Sequence, residues 1–153
     1  ESYCSSYCSS HLVSIHNSTQ NERITEIANH SQYPLFSPHG LWIGLQRVGE
    51  NAGLLNLSWT DSSAFDYGLT ARQDPWGDVD PNDEYASCVL LRRSDNWRWQ
   101  DWRCDSYSGD GSPMWFICDS CVGKVNKYIF VREAKNFTSA QSYCQQRFGT
   151  DLA

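Results

Sequence analysis

Apolar residues gather in short runs bounded by polar, glycine or cysteine positions: Leu41-Trp42-Ile43-Gly44-Leu45, Val89-Leu90-Leu91, Trp115-Phe116-Ile117 and Tyr128-Ile129-Phe130-Val131. Runs this short and this rich in branched and aromatic side chains predict buried strands. Leu57-Ser58-Trp59-Thr60 follows a Gly/Asn-rich turn and reads as the hairpin partner of the first run. Helical spacing appears elsewhere. Thr19-Gln20-Asn21-Glu22 has capping-box spacing and is followed by Ile24, Ile27 and Ala28, which predicts a helix from about Thr19 to His30. Cys4, Cys8, Leu12 and Ile15 share a face if Glu1 to Ile15 is helical, and Phe137, Ala140, Cys144 and Phe148 do so over Asn136 to Phe148. From Asp61 to Glu84 periodicity fades into two Pro, two Gly and six Asp. A long loop kept inside a compact domain is usually functional.

The bulk numbers narrow the class. The length of 153 residues suits one ordinary domain, and 14% aromatic content with seven Trp argues for a rigid, aromatic-packed core. A net charge of −6 and a pI near 5.0 exclude a nucleic-acid partner, which needs a basic surface. No apolar run approaches the roughly 20 residues of a membrane span. Seven Cys and four Asn-X-Ser/Thr acceptors, at Asn17, Asn29, Asn56 and Asn136, point to an oxidising, extracellular compartment. The chain opens without Met or an apolar leader, as expected of a mature piece or an excerpt.

Head and tail overlay without a gap. Ser142-Tyr143-Cys144 matches Ser2-Tyr3-Cys4 and Leu152 falls on Leu12, so Gln141 to Ala153 lies on Glu1 to Val13 at an offset of 140 residues. That offset is the expected period of an internal repeat. Two unrelated helices sharing Ser-Tyr-Cys are the alternative.

Several blocks together resemble the C-type lectin-like domain family: Leu12-Val13-Ser14-Ile15, Trp42-Ile43-Gly44-Leu45, Trp59-Thr60-Asp61-Ser62 with Phe65-Asp66-Tyr67, Asp80-Pro81-Asn82, Cys88-Val89, Trp99-Gln100-Asp101, and Cys104 with Trp115-Phe116-Ile117-Cys118. The resemblance implies an α+β fold of two helices and two small antiparallel sheets, with a long disulfide-closed loop. It divides the chain into residues 1–121, a domain lacking its opening strand and the start of its first helix, a linker at 122–126, and residues 127–153, the opening strand and first helix of a following domain. It also implies a disulfide between Cys88 and Cys104 and one from the first helix to the last strand, where Cys4 with Cys118 fits by register. Cys8 and Cys121 then form a parallel bridge, or the two pairings are exchanged. Cys144 is left unpaired or joins a neighbouring domain. A zinc site built from Cys4, Cys8, Cys118 and Cys121 is the less favoured alternative.

In sugar-binding members of the family a calcium ion is held by a Glu-Pro-Asn or Gln-Pro-Asp loop, a Trp-Asn-Asp strand and a Glu two residues before the loop-closing cysteine. This chain resembles the mannose-type order with Asp80-Pro81-Asn82, carries Trp99-Gln100-Asp101 on the strand, and has Ala86 at the Glu position with Glu84 nearby. The candidate calcium ligands are therefore Asp80, Asn82, Glu84, Gln100 and Asp101. Sugar contact falls to Asp80, Asn82 and Asp101 with Trp76 in the loop, whereas Trp97, Trp99 and Trp102 are expected to pack. One methylene is lost at Asp80 and one gained at Gln100, which reshapes a site that needs six to eight oxygens at fixed reach.

Two functions follow. One is an extracellular carbohydrate-binding module, calcium-dependent if the site is intact, whose partners are glycans or glycoproteins. The other is a structural unit of a tandem array or extracellular fibre with a degenerate calcium site, joined to neighbouring copies through an open strand edge at Trp115 to Ile117. No His-Glu-x-x-His, Gly-x-Ser-x-Gly or phosphate-loop pattern is present, and no enzyme is expected.

Overall fold

The computed structural model describes residues 11–30, 39–49, 55–105, 114–120 and 127–148. In chain order the elements are α1 (Ser18–His30), β1 (Gly40–Arg47), β2 (Leu57–Trp59), β3 (Cys88–Arg92), a short 3-10 turn at Arg93–Asp95, β4 (Arg98–Trp102), β5 (Met114–Ser120), β6 (Lys127–Val131) and α2 (Phe137–Phe148). The α+β class holds. The strands form one six-stranded mixed sheet in the order β4-β3-β1-β5-β6, with β2 also on β1, in place of two antiparallel sheets. What joins them is the parallel pairing of β1 with β5, Gly40 opposite Met114 and Trp42 opposite Phe116.

The apolar runs are continuous because both faces of the sheet are covered. Alternate side chains go to opposite sides. Leu41, Ile43, Leu45, Val89, Leu91, Trp115 and Ile117 meet Ile24 and Ala28 of α1. Trp42, Leu90, Met114, Phe116 and Cys118 meet Phe137, Ala140 and Cys144 of α2. Asn17, two residues ahead of the expected capping box, starts α1 by accepting from the Gln20 amide at 2.9 Å.

Leu12 to Ile15 is extended, against the helical reading. Leu12 bridges to Cys118, the Val13 amide donates to Ile117 O at 2.9 Å, and the Gly44 amide donates to Val13 O at 2.8 Å. All four residues are buried. A helix would expose part of this run, while an extended segment lying on the sheet buries it entirely. The rest of the predicted first helix lies outside the described residues.

The tail also departs from expectation. β6 pairs antiparallel with β5, Phe116 opposite Val131 through Ser120 opposite Lys127, so the edge read as open is occupied by the chain's own residues. The α2 helix then seats on the sheet, and Cys144 bonds Cys118. This corrects the Cys4–Cys118 pairing and the unpaired assignment of Cys144: α2 brings its cysteine to β5 with Cα atoms 5.4 Å apart, within normal bridging distance. Cys88–Cys104 forms as the resemblance implies. Cys4, Cys8 and Cys121 lie outside the described residues. Among the described residues no helix is long and apolar enough to cross a membrane.

Candidate functional site

The loop from Asp61 to Ser87 is built over one aromatic hub. Trp99 lies edge-on to Trp59, Tyr67 and Trp76 at centroid distances of 5.9, 5.7 and 5.5 Å. Its Nε1 donates to Asn21 Oδ1 of α1 at 2.9 Å. The loop backbone joins β4 here, with Trp99 N donating to Pro75 O at 2.8 Å and Gly77 N to Trp99 O at 2.9 Å. Trp76 is the anchor of this junction. It is fully buried and donates to Gly68 O at 2.6 Å, so it is unavailable to a ligand and its assignment as a sugar contact is corrected. Trp97 is buried too, its Nε1 held by Asn29 Oδ1 at 2.7 Å.

Beyond this junction the loop and the β3–β4 hairpin enclose a groove of about 500 Å³. Asp80, Asn82, Gln100 and Asp101 all line it, together with Ala86, Arg92 and Trp102. Four of the five candidate ligands are thus brought together across roughly twenty residues of sequence. Glu84 is exposed and does not line the groove; its backbone carbonyl, not its carboxylate, is what the structure uses. Ala86 stands where a further carboxylate would contribute, and it is buried.

Most of the oxygens in the groove are committed. Asp101 accepts from the Asn82 amide at 3.0 and 3.2 Å and from the Asp83 amide at 2.9 Å, and its Oδ2 lies 3.4 Å from Arg47 Nη2. Gln100 Oε1 accepts from Arg92 Nη1 at 2.9 Å. Asp80 Oδ1 accepts from Asn82 Nδ2 at 2.7 Å. Asp80 Oδ2 is buried without a hydrogen-bond partner among the described residues, facing Gly77, where an added Cβ would meet it at 2.8 Å and Asp95 Oδ2 at 2.7 Å. Burial, followed by the nearby Asp101 and Asp95 carboxylates, pushes Asp80 up to about 7.

Calcium needs six to eight oxygens. Among the described residues the candidate ligands offer one orphaned buried carboxylate oxygen, Asp80 Oδ2, while Arg47 and Arg92 occupy Asp101 and Gln100. Among the described residues no three His, Cys, Asp or Glu side chains are placed to share an ion. In this arrangement the donor set does not fit calcium.

Arg92 and Trp102 complete the groove beyond the sequence reading, and Arg47, outside the lining, holds its loop. Arg92 is the cross-strand neighbour of Arg98 and one diagonal step from Gln100, a relation visible once the β3–β4 register is known. Its guanidinium also lies over Trp102, 5.3 Å from the ring centre. Arg47, at the end of β1, is 54 residues from Asp101 and carries no local signal.

The fold has solved counterparts. Human lithostathine superposes with a TM-score of 0.50 at 23% identity, covering 67% of this chain and 70% of that one. CEL-IV superposes with a TM-score of 0.47 at 25% identity, covering 61% of this chain and 58% of that one. No curated protein matches the chain. The sequence model of the lectin C-type domain matches residues 1–110, most of the chain, and the protein belongs to the C-type lectin-like domain family.

Proposed function

We propose that this chain is an extracellular carbohydrate-binding module whose groove meets sugar hydroxyls directly through side chains, without a bridging calcium ion. The observation that carries this reading is the groove itself: the residues of the family's ligand loop and strand, Asp80, Asn82, Gln100 and Asp101, converge in it beside a half-buried Trp102. Acceptor and donor groups lie side by side there, and an indole wall supplies the apolar surface on which a sugar ring packs. The groove mixes both signs of charge, Arg92 and Arg103 lining it with Asp80, Asp83 and Asp101, and Asp101 is paired with Arg47, which suits a polar ligand without a strong net charge.

Binding rather than catalysis is the role proposed. Two disulfides support an extracellular setting. So do Asn17, Asn29 and Asn56, which lie exposed at the acceptor triplets. A tandem arrangement is the further proposal that the head-to-tail overlay supports.

The test is a glycan array probed with the recombinant protein in calcium and again with a chelator. Binding that is equal in both conditions, and weakened about tenfold or more by Trp102→Ala, is expected. Chelator-sensitive binding would overturn the calcium-free reading. Absence of binding in both conditions would favour the structural-unit alternative.

A further inference from the structure

The loop that frames the groove is pinned at one point by a cation of the protein's own. Arg47 Nη1 donates to Asp83 O and Glu84 O, each at 2.9 Å, and Arg47 Nη2 lies 3.4 Å from Asp101 Oδ2. The two side chains are 4% and 2% exposed, so this pair is screened from water and salt. Asp101 in turn accepts the amides of Asn82 and Asp83. A single buried guanidinium therefore gathers two backbone carbonyls of the loop and a carboxylate of β4, and that carboxylate gathers two backbone amides of the same loop. Two carbonyls and a carboxylate are the oxygens a hard divalent ion would collect. Here a fork of N–H donors on β1 collects them.

We propose that Arg47 is the resident cation of this loop, holding residues 80–86 in the groove-forming conformation so that the groove is ordered without calcium. Arg47 is on this account a positioning residue: it touches the loop and Asp101, and it does not line the groove. Arg92 plays a lesser version of the part at Gln100. This role belongs to the unliganded protein, so a groove that bound no sugar would leave it standing.

The test needs no ligand. Hydrogen exchange at the Asn82 and Asp83 amides and thermal unfolding are measured on the wild-type protein in millimolar calcium chloride and in excess chelator. Equal protection and melting temperatures are expected in the two conditions. Protection of these amides that appears only with calcium, or a melting temperature raised several degrees by it, would overturn the proposal. Arg47→Met removes the charge and keeps the stem; exchange at Asn82 and Asp83 is expected to quicken at least tenfold and the melting temperature to fall by about 10 °C. Arg47→Lys, which cannot span both carbonyls and the carboxylate with one fork, is expected to fall between. Undiminished protection in Arg47→Met would also overturn the assignment. If that variant does not fold, the wild-type pair of measurements decides alone.

Discussion

A chain of side-chain contacts near the start of α1 shows how individual residues constrain function here. His16 Nδ1 lies 2.8 Å from Asp66 Oδ1, and its Nε2 lies 3.2 Å from Ser63 Oγ. A serine, a histidine and an aspartate in that order have the outline of a hydrolytic triad. Ser63, however, donates its hydroxyl proton to Asp61 Oδ1 at 2.6 Å, so its oxygen has no proton to hand to the histidine. The network instead ties the first residues before α1 to the loop that follows β2, and Ser14 completes it by donating to Asp61 Oδ2 at 2.7 Å. Burial pushes the Asp61 carboxyl up, but the bonds from Ser63 and Ser14 outweigh it and hold the group below its ordinary value. A lowered folded value adds stability above the unfolded value, and that stability is lost as pH falls through the folded one. Asp61→Asn is therefore expected to cost about 1 kcal/mol near pH 7 and almost nothing near pH 2. Urea unfolding of the two proteins across that range measures it.

At the scale of elements, Gly44 explains why β1 reads Trp-Ile-Gly-Leu. Its amide donates to Val13 O and its carbonyl accepts from Thr60 N, both at 2.8 Å, so two other segments converge on this residue. A Cβ here would lie 2.5 Å from the backbone oxygen of Leu12 and 2.8 Å from Thr60 Oγ1. Backbone cannot swing aside as a side chain end can. Gly44→Ala is expected to destabilise the protein by about 3 kcal/mol, read as a lower denaturation midpoint with an unchanged slope. The strands around Gly44 were legible because each is an apolar run buried on both sides, which leaves no other conformation that hides it. Leu12 to Ile15 was not. Its spacing from Cys4 and Cys8 fits a helix, and only the long-range bonds to Ile117 and Gly44 select the extended form. The ligand loop was half legible for a related reason: Asp80-Pro81-Asn82 and Gln100-Asp101 are local patterns. The direction taken by Trp76 depends on Trp99, and the partner of Asp101 on Arg47, and neither relation is written in nearby residues.

The whole molecule is closed by its own tail. Beyond the pairing of β5 with β6, Trp42 Nε1 donates to Lys135 O at 3.0 Å, Lys135 N to Met114 O at 3.2 Å, and Phe137 N to Cys104 O at 3.2 Å. Gln141 reaches across to the other end of the chain, accepting from the Leu12 amide at 2.9 Å. These bonds put residues 127–148 where the family resemblance places an opening strand and first helix. Cys118–Cys144 locks the seat across a separation of 26 residues. Closing a loop of that length is worth about 3 kcal/mol in the chain-entropy account. Replacing both cysteines by serine is expected to lose that amount and to quicken hydrogen exchange at Ile129 and Val131, because among the described residues β6 has a partner strand on one side alone. Two outcomes would count against this closure. One is a non-reducing digest in which Cys118 is joined to Cys4 instead of Cys144. The other is β6 exchange that stays unchanged in the double serine variant, since the strand would then owe nothing to the bridge beside it.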